Sequence, residues 1–405
     1  MKIIEGKFNN AIIYTDNFDE STSSQIIQLL DQDFTKDLKI RIMPDCHAGM
    51  GCVIGTTMTV KDKIVPNLVG VDIGCGMLTV KLGRINLELV SIDKFISENI
   101  PYGMNVHNEE QEIDVDITKL RCWNKIDNHS HFYKSMGSLG GGNHFIEIDE
   151  DDEKNKYLII HTGSRNLGLK VANYYQSKAI EYHHNKLFNK SEIIEQMIKE
   201  YKKQGREKEI QGRLKEISQI DVKIDIPNDL CYLEGELFND YLHDMEIVQR
   251  YASGNRKTIC ESILIKLKIN LAKVNYFETI HNYINMNDMI LRKGAISAYK
   301  DEMVLIPINM RDGCIIAKGK GNKDFNFSAP HGAGRILSRL KAKDVISLKE
   351  FKDSMKGIYS TTISKNTIDE SPFVYKPMEE IIENIKETVE IIKIIKPIYN
   401  FKAQE

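Results

Sequence analysis

An α+β fold, built as one mixed domain with a helical insertion, is what this chain of 405 residues predicts. Three observations carry that expectation. Short apolar segments with period-2 alternation end at glycines, a long middle stretch has helical periodicity and dense charge, and strand-like segments return towards the C-terminus.

Residues 21–31, "STSSQIIQLLD", carry serine caps followed by apolar positions 26, 27, 29 and 30, which predicts a short amphipathic helix. "LKIRIMPD" (38–45) alternates as a strand does, and 52–82 reads as β-structure with glycine and asparagine turns. "YLIIH" (157–161) is a buried type of strand ending at a histidine. Helix dominates from 165 to about 216. Within it, 185–220 forms a charged insertion with an Ile/Met stripe, which suits a solvated helical arm or an arm that touches RNA. A further amphipathic helix spans 235–267 with a break near Gly254. Strands return at 303–318, and a helix over "MEEIIENIKETV" precedes a last strand, "EIIKIIKPIYNFK". There is no internal repeat, so one catalytic domain over 1–405 is the economical architecture.

Hydrophobic residues make up 41% of the chain, enough for a large core. Fifty-five Lys and Arg against 58 Asp and Glu leave a net charge of −3, which excludes a wholesale polyanion binder and leaves room for a local basic groove. The seven cysteines, at 46, 52, 75, 122, 231, 260 and 314, are odd in number and contain no CxxC pair. That pattern predicts reduced thiols and a cytoplasmic protein. Apolar runs are short and the first residues lack a leader pattern, so neither membrane insertion nor export is expected.

Five stretches place a metal ligand or a nucleophile beside glycines at the end of a strand or turn: "MPDCHAGMG" (43–51), "GVDIGCGM" (70–77), "SLGGGNHFIEI" (138–148), "HTGSRNLG" (161–168) and "SAPHGAGR" (328–335). Glycine there admits positive φ and close approach of a ligand. Asp72 and Cys75 can converge on one ion, whose charge would deprotonate the thiol and let it bridge a second ion; a small buried hydrophobe is the plain alternative. His144 and His161 would be core or turn histidines if alone, but Asn143 and Glu147 and the glycine runs beside them favour ligation. His281 is less distinctive. His129 and His131 lack such scaffolding and read as surface, and Cys46 and Cys52 as buried packing. Cysteine, histidines and an aspartate together suit Zn, Mn, Co or Fe better than Mg or Ca. Ligands scattered along the chain imply a site assembled by the fold, hence a catalytic metal.

His331 precedes what reads as a helix N-terminus with Arg335 one turn in, an arrangement that favours a phosphate. A neutral imidazole has a lone pair for attack on phosphorus, so His331 stands open as nucleophile, metal ligand or structural residue.

Together these motifs resemble the RtcB family of RNA-splicing ligases, and the resemblance runs from "MPDCHAGMGCVIG" to the terminal "YNFK". It implies a mixed α/β domain peculiar to the family. It also implies an enzyme that uses GTP and two Mn²⁺ ions to join RNA 2′,3′-cyclic phosphate or 3′-phosphate ends to 5′-hydroxyl ends, in tRNA splicing or RNA repair. Cys75 would bridge the two ions, with Asp72 and His144 completing one shell and His161 and His281 the other. His331 matches the histidine that becomes covalently linked to GMP. Asn143, Glu147, Tyr375 and Lys402 match residues of the GMP pocket, the lysine reading the guanine edge. Asp45 and His47 match a motif near the active site; Asn255 and Arg256, in "QRYASGNR", match positions near the RNA or phosphate, and Arg165 and Arg335 join them as phosphate candidates. Where many members carry "PGSMG", this chain has "PINMRDG" (307–313), which puts Asn309 and Cys314 at the places of two serines and marks a divergent branch. "VPNLVGVDIGCG" likewise replaces a more glycine-rich approach to the metal turn. A monomer is expected, with room for an activating protein partner. The rival activity is a dinuclear metallophosphoesterase acting on RNA ends without guanylylation; a non-catalytic RNA-binding scaffold is a third reading.

Overall fold

The computed structural model describes residues 1–187, 190–218 and 225–403. Helices and sheets are interleaved, and nearly all strand pairs are antiparallel, which is the α+β class. A six-stranded sheet runs in the order Lys2–Glu5, Asn10–Ile13, Ile40–His47, Ile54–Thr59, Ile290–Lys293, Asn282–Asn285. Its one parallel pair, Asn10–Ile13 with Ile40–His47, needs a crossover, and the helix Glu20–Leu30 lies in that connection. That helix is capped by Asp19, whose carboxylate accepts from Thr22 N at 2.8 Å, so the serines read as caps lie inside it.

A seven-stranded sheet runs Asn275–Ile280, Gly76–Gly83, Lys156–Thr162, Phe145–Glu150, Val389–Lys402, Gly313–Gly319, Met303–Asn309. Its alternation separates two kinds of residue. Leu78, Val80, Ile146, Ile148, Leu158, Ile160, Tyr399 and Phe401 share a core with Ile92 and Ile96 of the helix Leu89–Asn99 and with Ile259 and Ile263 of the helix Gly235–Lys266. Met77, Phe145, Glu147, Ile159, His161, Asn400 and Lys402 sit at the intervening positions, on the opposite face.

Two expectations about helices change. Gly235–Lys266 is a single unbroken helix of 32 residues, because Tyr251, Ala252, Asn255, Arg256 and Ile259 around Gly254 are all buried, and their packing outweighs the roughly 1 kcal/mol that an interior glycine costs. Between 52 and 82 the β-structure is interrupted by the short helix Pro66–Val69, with proline at its first position. In the region of the expected insertion, Arg165–Leu187 is followed by Lys190–Lys203 and Ile210–Ser218, which pack on each other and bury Met197 and Ile217. Residues 188–189 and 219–220 of that span lie outside the described residues. No helix among the described residues is long and apolar enough to cross a membrane.

Candidate active site

The chain passes from the seven-stranded to the six-stranded sheet at one residue. His281 stands between the strands Asn275–Ile280 and Asn282–Asn285, which belong to different sheets. Its N–H donates to Cys75 O (3.0 Å) and its carbonyl accepts from Gly294 N (2.7 Å), so it is pinned to both sheets at their junction. The cleft of 320 Å³ that opens there is lined from the six-stranded sheet's side by His47, Ile54 and Gly294, and from the other by Cys75, Glu147, His161 and Lys402.

Cys75 is the centre of one group. Its Sγ lies 3.6 Å from His144 Nε2 and 3.4 Å from His161 Nε2, and His144 Nε2 is 3.2 Å from Asp72 Oδ2. Each histidine is oriented from behind: His144 Nδ1 donates to Leu139 O (2.8 Å), and His161 Nδ1 to Asn143 O (3.2 Å). In both rings Nδ1 is thereby the donor to the backbone and Nε2 is the nitrogen turned to the sulfur, in His144 also to Asp72. The next ring in line is His281, 5.3 Å from His161 between centroids, and its buried Nδ1 has no hydrogen-bond partner. Burial pushes the Asp72 carboxyl up, but the His144 contact and the Ser164 N–H outweigh it and hold it down at about 2. Burial, and then the neighbouring His144, depress His161; burial, then His331, depress His281, so both are neutral imidazoles. Burial and the adjacent Asp72 carboxylate raise the Cys75 thiol well above its ordinary value. A buried cluster of convergent lone pairs with one orphaned nitrogen and a thiol that only a cation would ionise fits a divalent metal. Close approach here depends on Gly163, where a Cβ would come within 2.1 Å of Asp72 Oδ1.

His331 belongs to a second group. It follows the short strand Ser328–Pro330, and its ring centroid is 4.9 Å from that of His281. Asp45, fully buried at the end of the six-stranded sheet, accepts from His331 Nδ1 (2.7 Å) and from its backbone N–H (3.0 Å) through the same Oδ2. Nδ1 is thereby committed to the carboxylate, and Nε2 is the nitrogen left for chemistry. The residues after His331 do not begin a helix. Gly334, at φ 75, lies against Asp45, where a Cβ would meet Asp45 O at 2.3 Å, and the helix starts only at Arg339 behind the cap Ser338. The expected phosphate site of helix amides is therefore absent from this segment. Arg335 bridges to Tyr375 in an isolated β-bridge, and its guanidinium donates to Leu337 O, Asp369 O and Glu370.

The far wall is organised by a residue that the sequence did not single out. Glu370, buried, accepts from Tyr375 Oη (2.5 Å) and pairs with Lys402 Nζ (2.9 Å), Arg335 Nη1 (3.2 Å) and Arg339 Nη1 (3.1 Å). Burial pushes its carboxyl up, and Lys402, Arg339 and Arg335 together pull it below the usual range. Only its place in "DESPFVYKP", before Tyr375, hints at this role. Lys402 also donates to Asn143 O (2.9 Å), joining the C-terminal strand to the glycine loop before His144.

The remaining expected positions sort by burial. Asn143, Glu147, Asn309, Tyr375, Lys402, His47 and Arg335 line the cleft. Asn309 turns its side chain to its own hairpin, donating to Asp312 Oδ2 (2.8 Å) and accepting from Arg311 and Asp312 N–H, so "PINMRDG" is a self-closed turn. Cys314 is fully buried behind Glu147, 3.7 Å from its Oε1, and does not reach the cleft. Asn255 and Arg256 are also fully buried, which removes them as RNA contacts. Asn255 bonds Gly137 N (2.8 Å), Ser138 N (3.1 Å) and Gly163 O (3.2 Å), and Arg256 bonds Gly74 O and Thr162 O, both at 2.8 Å. They tie together the three turns that carry Asp72, His144 and His161. The Arg165 guanidinium is likewise engaged, by Ser138 Oγ (2.9 Å) and Gly103 O (3.0 Å). His129 is partly buried and stacks on Trp123, and Cys46 and Cys52 are buried, burial raising the Cys46 thiol to about 12.

Known proteins match this chain over the segments that build the cleft. The family model described as tRNA-splicing ligase RtcB matches residues 34–131 and 121–403. The chain belongs to the RtcB family. The RNA-splicing ligase RtcB of Escherichia coli K12 is 28% identical over 403 residues, covering 90% of each chain. The tRNA-splicing ligase RtcB of Nanoarchaeum equitans is 25% identical, covering 84% of this chain and 83% of its own. The RNA-splicing ligase RtcB homolog 2 of Entamoeba dispar is 23% identical, covering 90% and 81%. The match to the RtcB model takes in four strands of the six-stranded sheet, the whole seven-stranded sheet and every residue named in the cleft.

Proposed function

We propose that this protein is a GTP- and Mn²⁺-dependent RNA ligase. It joins RNA ends bearing a 2′,3′-cyclic phosphate or 3′-phosphate to 5′-hydroxyl ends, in tRNA splicing or RNA repair, as a cytoplasmic monomer open to an activating partner. The observation that carries this reading is the placing of His331 apart from the Cys75, His144 and His161 group: its Nδ1 is held by Asp45 at 2.7 Å, which leaves Nε2 as its other nitrogen at the cleft.

Two Mn²⁺ ions would be held by Asp72, Cys75 and His144, and by Cys75, His161 and His281, and when bound they supply positive charge for phosphate oxygens. In the protein's own part of the reaction, His331 Nε2 attacks the α-phosphorus of GTP, forming a phosphoramidate with GMP and releasing pyrophosphate. The Asp45 carboxylate stabilises the positive charge that grows on the imidazole as the bond forms. GMP then passes to the RNA 3′-phosphate, and the 5′-hydroxyl attacks that activated end and displaces GMP; a cyclic phosphate has first to be opened by water. Asn143, Glu147, Tyr375 and Lys402 hold the nucleotide, and Glu370 keeps Tyr375 and Lys402 in place for it. Incubation with α-labelled GTP and Mn²⁺ should label the protein, and the label should vanish in His331→Ala.

A further inference from the structure

Beneath the cleft, the seven-stranded sheet buries two carboxyl groups side by side. Glu147 and Asp149 share a face of the strand Phe145–Glu150, and one oxygen of each lies with Cys314 Sγ within 4.8 Å of one another. The surroundings are apolar: Met77, Phe145, Tyr157, Ile159, Leu305, Ile316 and Ile395 form the cluster that also contains Cys314. Glu147 is served by donors, from Asn400 Nδ2 at 2.5 Å and from the Cys314 thiol at 3.7 Å. Asp149 is not: it is fully buried, and neither of its oxygens has a partner. Two buried carboxylates this close are not both ionised, and the group without donors is the one to take up a proton.

We propose that Glu147 and Asp149 hold one proton between them, carried by Asp149, and that this proton fixes Glu147 as an acceptor for the donor edge of the base in the bound nucleotide. Asp149 is then a positioning residue and Glu147 the group that touches the ligand. The charged and titratable groups facing the pair are Cys314 from the strand Gly313–Gly319 and Lys402 from Val389–Lys402, while Tyr157, opposite Asp149 in the register, gives its hydroxyl to Asp151. Lys402 favours the charged form of Glu147 and does not act on Asp149; burial and then Glu147 push the Asp149 carboxyl far above its ordinary range. In this arrangement Cys314, hidden from the cleft, acts on the nucleotide only through Glu147, to which its S–H is a further donor.

This inference rests on the proposed nucleotide pocket for its second half, and the tests separate the two. Infrared difference spectra of the full-length protein without nucleotide, wild type minus Asp149→Asn at neutral pH, should show the C=O stretch of a protonated carboxylic acid. Absence of that band overturns the shared proton whatever the fate of GTP binding. A third metal ion per chain that disappears in Asp149→Asn would also overturn it, in favour of a cation site. In GTP titrations with Mn²⁺, Asp149→Asn, which keeps a neutral donor, should bind within about twofold of wild type, whereas Asp149→Leu, which fills the space without a donor, should bind about tenfold more weakly. Equal affinity for the two variants would sink the positioning role. Absence of GTP binding in the wild type, with the band present, would instead remove the ligase reading and with it the role in base recognition.

Discussion

The histidines on the two sides of the cleft differ in what holds them from behind. On the Cys75 side, His144 and His161 each give Nδ1–H to a backbone carbonyl and direct Nε2 at one sulfur. On the other side His331 gives Nδ1–H to a buried carboxylate, and its Nε2 meets no protein ligand. Either partner orients the ring and leaves Nε2 for other work, and a carboxylate can in addition stabilise a ring that becomes cationic. Under the proposed function that carboxylate is what sets the nucleophile apart from the ligands, among rings 4.9 to 5.3 Å apart.

That division can be broken from either side. Cys75→Ala should abolish ligation and leave less than one metal per chain by elemental analysis, with no loss of folded structure; full metal content in the variant would remove the sulfur from the centre of the site. Asp45→Asn should slow guanylylation by about 10²- to 10⁴-fold while metal content stays at the wild-type level. Metal loss in that variant would merge the two groups. Glu370→Gln, on the wall of the cleft, should raise KM for GTP about tenfold with kcat nearly kept, because the hydrogen bonds to Tyr375 and Lys402 lose their charge.

The smallest expected effect is on stability against acid. The folded Glu370 carboxyl is depressed below its ordinary 4.5, so its contribution is complete above that value and is lost as pH falls through the lower folded one. Thermal melts of wild type and Glu370→Gln should differ at pH 7 and converge towards pH 3. A gap that persists undiminished at low pH would mean that the carboxylate charge is not what holds this wall.

Much of the Cys75 side was legible in the sequence because its signals are local. "DIGCG" and "GGGNHFIEI" set a candidate ligand beside glycines and "YLIIH" ends a buried strand at one, while the pairing of Phe145 with His161 is what puts Phe145, Glu147 and His161 on one face. The His331 side depends on long-range pairing. Asp45 and His331 are far apart in the chain, and neither Glu370 nor Asp149 announces its neighbours. Reading "HGAGRILSR" as a helix start failed because Gly334 has to lie against Asp45. Reading Asn255 and Arg256 as RNA contacts failed because polar residues near a motif can equally serve as buried struts, and no periodicity distinguishes the two.

The central claim is that His331, and none of the histidines around Cys75, takes the nucleotide. The most direct measurement is mass spectrometry of peptides after reaction of the wild type with GTP and Mn²⁺. The account predicts a GMP adduct on the peptide containing His331, labile to acid as a phosphoramidate. RNA ends joined or trimmed with no GTP present and no adduct on that peptide would contradict it.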